Sequence, residues 1–177
     1  MISETLNAEE TQAAGAQLAR RLRPGDVVLV SGELGSGKTT FVRGAAHALG
    51  VRGPVKSPTF TIGQVLAGSP DVAHLDLYRL DSRALEDPAL LDDYLTPDRV
   101  AFVEWPSPGE PALERVAVRV TLEHLGGDRR RIAVEGFSDS TRRPRRVPPA
   151  CCARTESRSK QRPGRRRSAP RPLTRAS

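Results

Sequence analysis

The stretch VVLVSGELGSGKTTFVRG, residues 27–44, changes physical character twice. Val27–Val30 is a continuous apolar run rich in β-branched residues, without polar alternation. That is the pattern of a strand covered on both faces, and such strands belong to parallel α/β sheets. Three glycines follow within six residues (Gly32, Gly35, Gly37), and the segment from Lys38 then reads as a helix running to Gly50. Strand, glycine-rich loop and helix thus succeed one another. Gly32-Glu33-Leu34-Gly35-Ser36-Gly37-Lys38-Thr39 fits G-x-x-x-x-G-K-[ST] in the context that motif requires.

The chemistry is that of a phosphate cradle. Backbone N–H groups of a tight turn and of a helix N-terminus converge on phosphate oxygens, helped by the helix dipole. In this reading residues 32–37 wrap the phosphates of a nucleoside triphosphate, Lys38 reaches the β- and γ-phosphates, and the Thr39 hydroxyl binds Mg²⁺. The Thr40 hydroxyl is within range of the α-phosphate. A chance glycine turn capping a helix is the alternative. With average residue frequencies the pattern arises in about one per cent or fewer of chains this long, before the strand and helix are counted. The motif speaks for binding of a nucleoside triphosphate and leaves open what its energy is used for.

Outward from this core, residues 8–22 place Ala13, Ala16, Leu18, Ala19 and Leu22 near one stripe, predicting a helix with Asn7 as N-cap and Pro24-Gly25 as its stop. Downstream, a β-prone stretch is expected at Phe60–Leu66, apolar strands at Val72–Leu77 and Val100–Val103, and one or two short helices within Ser82–Tyr94. Residues 116–125 and 130–137 alternate apolar and polar around Gly126-Gly127-Asp128, a hairpin signal. The expected fold class is α/β: a P-loop NTPase-type mixed, mostly parallel sheet with flanking helices and a C-terminal antiparallel hairpin.

Ligands of parallel sheets sit outside the carboxyl ends of the strands. Asp76 and Glu104 stand at two such ends. One acid beside Thr39 completes the shell of a Mg²⁺ ion, directly or through water, and the other orients or deprotonates an attacking water. Residue chemistry does not say which does which, and solvated strand-end acids are the plain alternative. Trp105, the only tryptophan, either stacks on a base or packs at the rim. Pro58 biases Ser57 toward extended backbone, and Thr59 suits a hydroxyl that senses a γ-phosphate. Tyr78 and Arg79 are open to contact with a partner or a phosphate, or form a surface pair. His74 and His124 lack a second ligand at metal spacing and receive no chemistry.

Composition divides the chain at Phe137. Residues 1–137 carry 15 Lys+Arg against 19 Asp+Glu, net −4; residues 138–177 carry 13 against 2, net +11. The later segment is rich in Arg, Pro and Ser and has no aromatic residue, so it cannot bury enough apolar area to offset its ordering entropy. It is expected to be a disordered basic tail after a folded P-loop domain of residues 1–137. No apolar run approaches membrane-spanning length and the first residues are acidic and polar, which points to a cytoplasmic protein without signal peptide. Cys151 and Cys152, the only cysteines, offer no zinc or disulfide framework.

Four segments in order, GELGSGKTTFVRG at 32–44, KSPTFTI at 56–62, HLDLYRL at 74–80 and VEWP at 103–106, resemble the TsaE family of bacterial ATPases needed to make threonylcarbamoyladenosine in tRNA. The resemblance covers nearly all of residues 5–137. It implies ATP binding by residues 32–39, with Thr39 and Glu104 on Mg²⁺ and Asp76 and Lys38 supporting hydrolysis. It puts Trp105 by the nucleotide, Thr11 of the first helix near the base, and Thr59 in a segment that responds to nucleotide state. One of Arg129, Arg130 and Arg131 corresponds to a basic residue of the last hairpin. The implied partners are a transferase and its dimerisation partner, both of ASKHA fold, with tRNA engaged only indirectly, and ATP hydrolysis resets that complex. The stretch Glu86–Leu90 lacks a glycine expected in the family, and the basic tail is not a family feature.

Two other functions are weighed against this one. A small-molecule kinase on the same scaffold needs an acceptor pocket and a lid with arginines over the phosphates, for which residues 82–99 offer only Arg83 and Arg99. The tail's arginines suit non-specific phosphate contacts with nucleic acid, yet the rarity of lysine in the whole chain makes composition alone a sufficient account.

Overall fold

The computed structural model describes residues 1–58, 61–78, 89–106, 113 and 116–137. In chain order the elements are β1 (Ile2–Thr5), α1 (Ala8–Ala19), β2 (Val27–Gly32), α2 (Lys38–Ala48), β3 (Gly63–Leu66), β4 (Val72–Asp76), α3 (Ala89–Asp92), β5 (Val100–Glu104), β6 (Val116–His124) and β7 (Arg130–Gly136). The strands form one seven-stranded sheet in the order β1-β7-β6-β2-β5-β4-β3. Its middle, β6-β2-β5-β4, is parallel, and β7, β1 and β3 are added antiparallel at the two sides. The fold is therefore a mixed α/β sheet with flanking helices, and it closes with the expected β6–β7 hairpin.

The pleat of β2 explains its unbroken apolar run. Val28 and Val30 face a core shared with α1 and α2, including Phe41, Val42, Ala45, Phe102 and Ile132. Val27 and Leu29 face a second core containing Leu75, Val103, Leu91 and Leu113. Burial on both faces is what a central parallel strand requires.

α1 starts where expected. The Asn7 side chain accepts from Glu10 N at 2.8 Å, and the Glu10 carboxylate accepts in return from Leu6 N at 2.8 Å, a reciprocal cap. It ends at Ala19, short of the expected Leu22, as residues 20 and 21 turn toward Pro24. β3 begins at Gly63 rather than Phe60, since residues 61 and 62 form a bend before it. β4 stops at Asp76, one residue before Leu77. β1 was not expected: four residues with an exposed Ile2 carry no strand signature, and they become a strand only by pairing with β7. Of the region 82–94, the helix α3 is described; Arg79, Arg83, Glu86 and the whole segment 138–177 lie outside the described residues.

No helix among the described residues is long and apolar enough to cross a membrane.

Candidate functional site

The loop leaving β2 turns through Gly35 and Gly37, whose φ angles of 77° and 97° lie in the left-handed region that glycine adopts without strain. Gly37 is also the N-cap of α2 and has no side chain to offer, so the first amides of that helix receive no side-chain cap. Leu34 stands at the exposed tip, 79% accessible, next to the exposed Glu33. Ser36 is buried, and its Oγ has no hydrogen-bond partner among the described residues.

Lys38, the first residue of α2, is folded back into this loop. Its Nζ donates to Gly32 O at 2.9 Å and Glu33 O at 2.7 Å, and it lies 3.9 Å from the centre of the Trp105 ring. Burial holds its ammonium below the ordinary lysine range, against the opposing attraction of Glu104 and Asp76. A cation within 6 Å of an indole face is stabilised by the ring quadrupole.

Thr39 points at the end of β5. Its hydroxyl donates to the Glu104 carboxylate, 2.9 Å from Oε1 and 3.1 Å from Oε2. Glu104 is only 2% exposed, and its Oε1 also lies 2.8 Å from Nε2 of the fully buried His74 on β4. Asp76, the last residue of β4, is the register neighbour of Glu104, so both strand-end acids stand at the same edge of the sheet, as expected. One Asp76 oxygen accepts from the Ser57 hydroxyl and the other from Tyr78 N at 3.1 Å. Thr40 lies half-buried in the first turn of α2.

Immediately after Glu104 the backbone reverses. Trp105 has φ 55°, an uncommon value for a bulky residue, and its N–H donates to Val30 O at 3.2 Å. That reversal turns the indole onto Lys38 and against Tyr78, with ring centroids 4.8 Å apart. Trp105 thus forms a rim wall over the loop lysine.

The opposite side of the loop is formed by α1 and β7. Thr11 is buried beside the start of α2. Its hydroxyl is engaged with Asn7 O at 3.0 Å and the Thr5 hydroxyl at 2.9 Å, and its methyl faces Gly37. Of the three consecutive arginines, Arg130 is the one that touches the loop. Alternation along β7 puts Arg130 on the same face as the buried Ile132, and its Nη2 donates to Gly35 O at 3.4 Å. Arg131 lies on the other face between Glu4 and Glu123, at 3.5 and 3.2 Å, and Arg129 pairs with Glu4 at 3.2 Å.

Lys38, Thr39, Asp76, Glu104 and Trp105 are therefore brought together at the carboxyl edge of the sheet, with Thr11 and Arg130 across the loop. Thr59 lies outside the described residues. Two residues given no chemistry in the sequence reading contact the strand-end acids: Ser57, whose hydroxyl donates to Asp76, and His74, whose Nε2 meets Glu104. The only sequence signal for His74 is its place two residues before Asp76 in an otherwise apolar strand.

The family model for the threonylcarbamoyl adenosine biosynthesis protein TsaE matches residues 5–132, a span that takes in the loop, both strand-end acids, Trp105 and Arg130. The chain is 42% identical over 136 residues to the tRNA threonylcarbamoyladenosine biosynthesis protein TsaE of Streptomyces coelicolor, covering 71% of this chain and 89% of that protein. It is 39% identical over 129 residues to the protein of the same name from Bacillus subtilis, covering 72% and 80% respectively. The crystal structure of Bacillus subtilis YdiB superposes with a TM-score of 0.66 at 32% identity, over 79% of this chain and 87% of that one.

Proposed function

The chain belongs to the TsaE family of tRNA threonylcarbamoyladenosine biosynthesis, and from that premise we propose that it is a cytoplasmic, Mg²⁺-dependent P-loop ATPase. Its hydrolysis of ATP to ADP and phosphate drives or resets a partner transferase complex of ASKHA-fold proteins, and tRNA is engaged indirectly, through those partners. The observation that carries the reading is the direct bond from the Thr39 hydroxyl, at the start of α2, to the buried Glu104 carboxylate at the end of β5. A hydroxyl and a carboxylate at the mouth of a glycine cradle are hard oxygen donors that fit Mg²⁺. The unpartnered Ser36 Oγ and the uncapped first amides of α2 are further polar groups suited to an oxyanion.

In this reading the backbone of residues 32–37 and the N-terminus of α2 bind the phosphate chain. Lys38 already lies in the loop, and its ammonium exchanges the carbonyls of Gly32 and Glu33 for phosphate oxygens. Thr39 and Glu104 hold Mg²⁺, which when bound neutralises charge on the transferring phosphoryl group. Asp76 accepts a proton from, or orients, the attacking water, and Ser57 fixes the carboxylate that does so. Trp105 and Tyr78 wall one side of the nucleotide and limit water at Lys38. Arg130 sits where a guanidinium can replace its bond to Gly35 O with one to the nucleotide.

Lys38→Ala is expected to abolish Mg²⁺·ATP turnover in the purified protein and threonylcarbamoyladenosine in the tRNA of cells that carry only this variant. Normal modification in those cells refutes the proposal. Strong stimulation of ADP release by a single metabolite, rather than by the partner proteins, would make the chain a kinase instead.

A further inference from the structure

We infer that His74 is a positioning residue for the divalent cation: its Nε2–H clamps Oε1 of Glu104 and so aims the carboxylate at the metal that Thr39 and Glu104 share. The inference rests on the proposed role of those two residues. His74 lies in β4 on the face toward α2, is completely buried, and is the register neighbour of Phe102. An apolar side chain would fill such a place without the desolvation that an imidazole suffers there. The ring makes one polar contact, 2.8 Å to Glu104 Oε1, while its Nδ1 is buried with no partner among the described residues. Facing a carboxylate oxygen, Nε2 is the donor of this bond.

The consequence falls on Glu104. Its carboxylate is almost wholly removed from water and receives two donors, the His74 imidazole and the Thr39 hydroxyl. Thr39 is itself expected to turn its oxygen to the cation, so it cannot alone fix the carboxylate's rotation. His74 comes from a different strand and makes no other hydrogen bond among the described residues. Its bond therefore fixes Oε1, while Oε2 stays on the Thr39 side. Groups that orient metal-binding carboxylates in this way, without touching the ion, typically carry a 10–100-fold effect on metal affinity.

The test uses the full chain with ADP, and Mn²⁺ as the metal probe, free Mn²⁺ being followed by electron paramagnetic resonance. His74→Leu removes the donor and keeps the bulk. It is expected to weaken Mn²⁺ binding to the protein–ADP complex by about 10–100-fold while leaving ADP affinity in EDTA unchanged. His74→Gln, whose amide nitrogen reaches toward the place of Nε2, is expected to recover most of the loss, and His74→Asn, which is too short, is not. Equal Mn²⁺ affinity in the Gln and Asn variants overturns the inference, even if the Leu variant does not fold. So does an ADP affinity that falls equally with and without metal, which marks a purely structural histidine. Failure of the wild-type ADP complex to bind Mn²⁺ at all would instead refute the metal role of Thr39 and Glu104, and this inference with it.

Discussion

Gly44→Ala offers the sharpest test of how the site is supported. Alanine is the better helix former by about 1 kcal/mol, so helix propensity alone predicts stabilisation. The tertiary structure predicts the reverse. A Cβ at position 44 would lie 2.0 Å from the backbone oxygen of Gln12 in α1, at least 1 Å inside the closest separation that real Cβ atoms show. Gly15 of α1 stands in the reciprocal position, its Cβ direction only 2.1 Å from Phe41 O. The obstructing atoms are backbone, so no rotamer change relieves the clash and the helices must part. Overpacking costs about 1–3 kcal/mol, and rigid neighbours put this case at the upper end. Set against the propensity gain, the net loss is about 2 kcal/mol, or a fall in Tm of about 6–10 °C for a folded unit of this size. Thermal and urea unfolding of the variant measure it directly. Because α2 also carries Lys38 and Thr39, nucleotide affinity should fall as well. A variant as stable as wild type, or more so, refutes the close backbone approach of α1 and α2.

Asp76→Asn is expected to reduce turnover by about 10²–10⁴-fold with nucleotide binding retained, as single-turnover and equilibrium binding measurements would show; equal loss of both would remove Asp76 from the chemical step. Arg130→Ala should weaken nucleotide binding by about 10–100-fold, the worth of a charged hydrogen bond, whereas Arg129→Ala and Arg131→Ala should not, and calorimetry on the three variants decides. Because burial lowers the Lys38 pKa from 10.5, the unfolded chain holds that proton to higher pH than the folded protein. This group's contribution to stability therefore rises between the folded value and 10.5. Wild type should gain on Lys38→Met in urea unfolding as pH is raised through that window, and a widening deficit would refute the sign.

The central parallel sheet, the loop and its lysine, both strand-end acids and the final hairpin were legible in the chain because each is written locally. A run such as Val27–Val30 has no other way to be covered, and Gly126-Gly127-Asp128 between alternating segments has few other uses. Position along each strand was enough to put Asp76 and Glu104 at carboxyl ends, since strand direction in a parallel block is common to all its members.

What the chain alone left open involves partners distant in sequence. Nothing distinguishes Arg129, Arg130 and Arg131 until the pleat of β7 sends the middle one toward the loop and Arg131 toward Glu4 and Glu123. Ile2–Thr5 has no strand pattern of its own and takes its conformation from β7, more than a hundred residues away. Gly15 and Gly44 lie inside helices, where glycine is a poor helix former, and their purpose is visible only where two backbones touch. His74 read as a stray histidine until β4 and β5 set it beside Glu104. Residue type and short spacing determine which groups are available and which local conformations they favour. Which of them meet is decided by strand register and helix packing, because those contacts are made between groups whose separation along the chain carries no periodic signal.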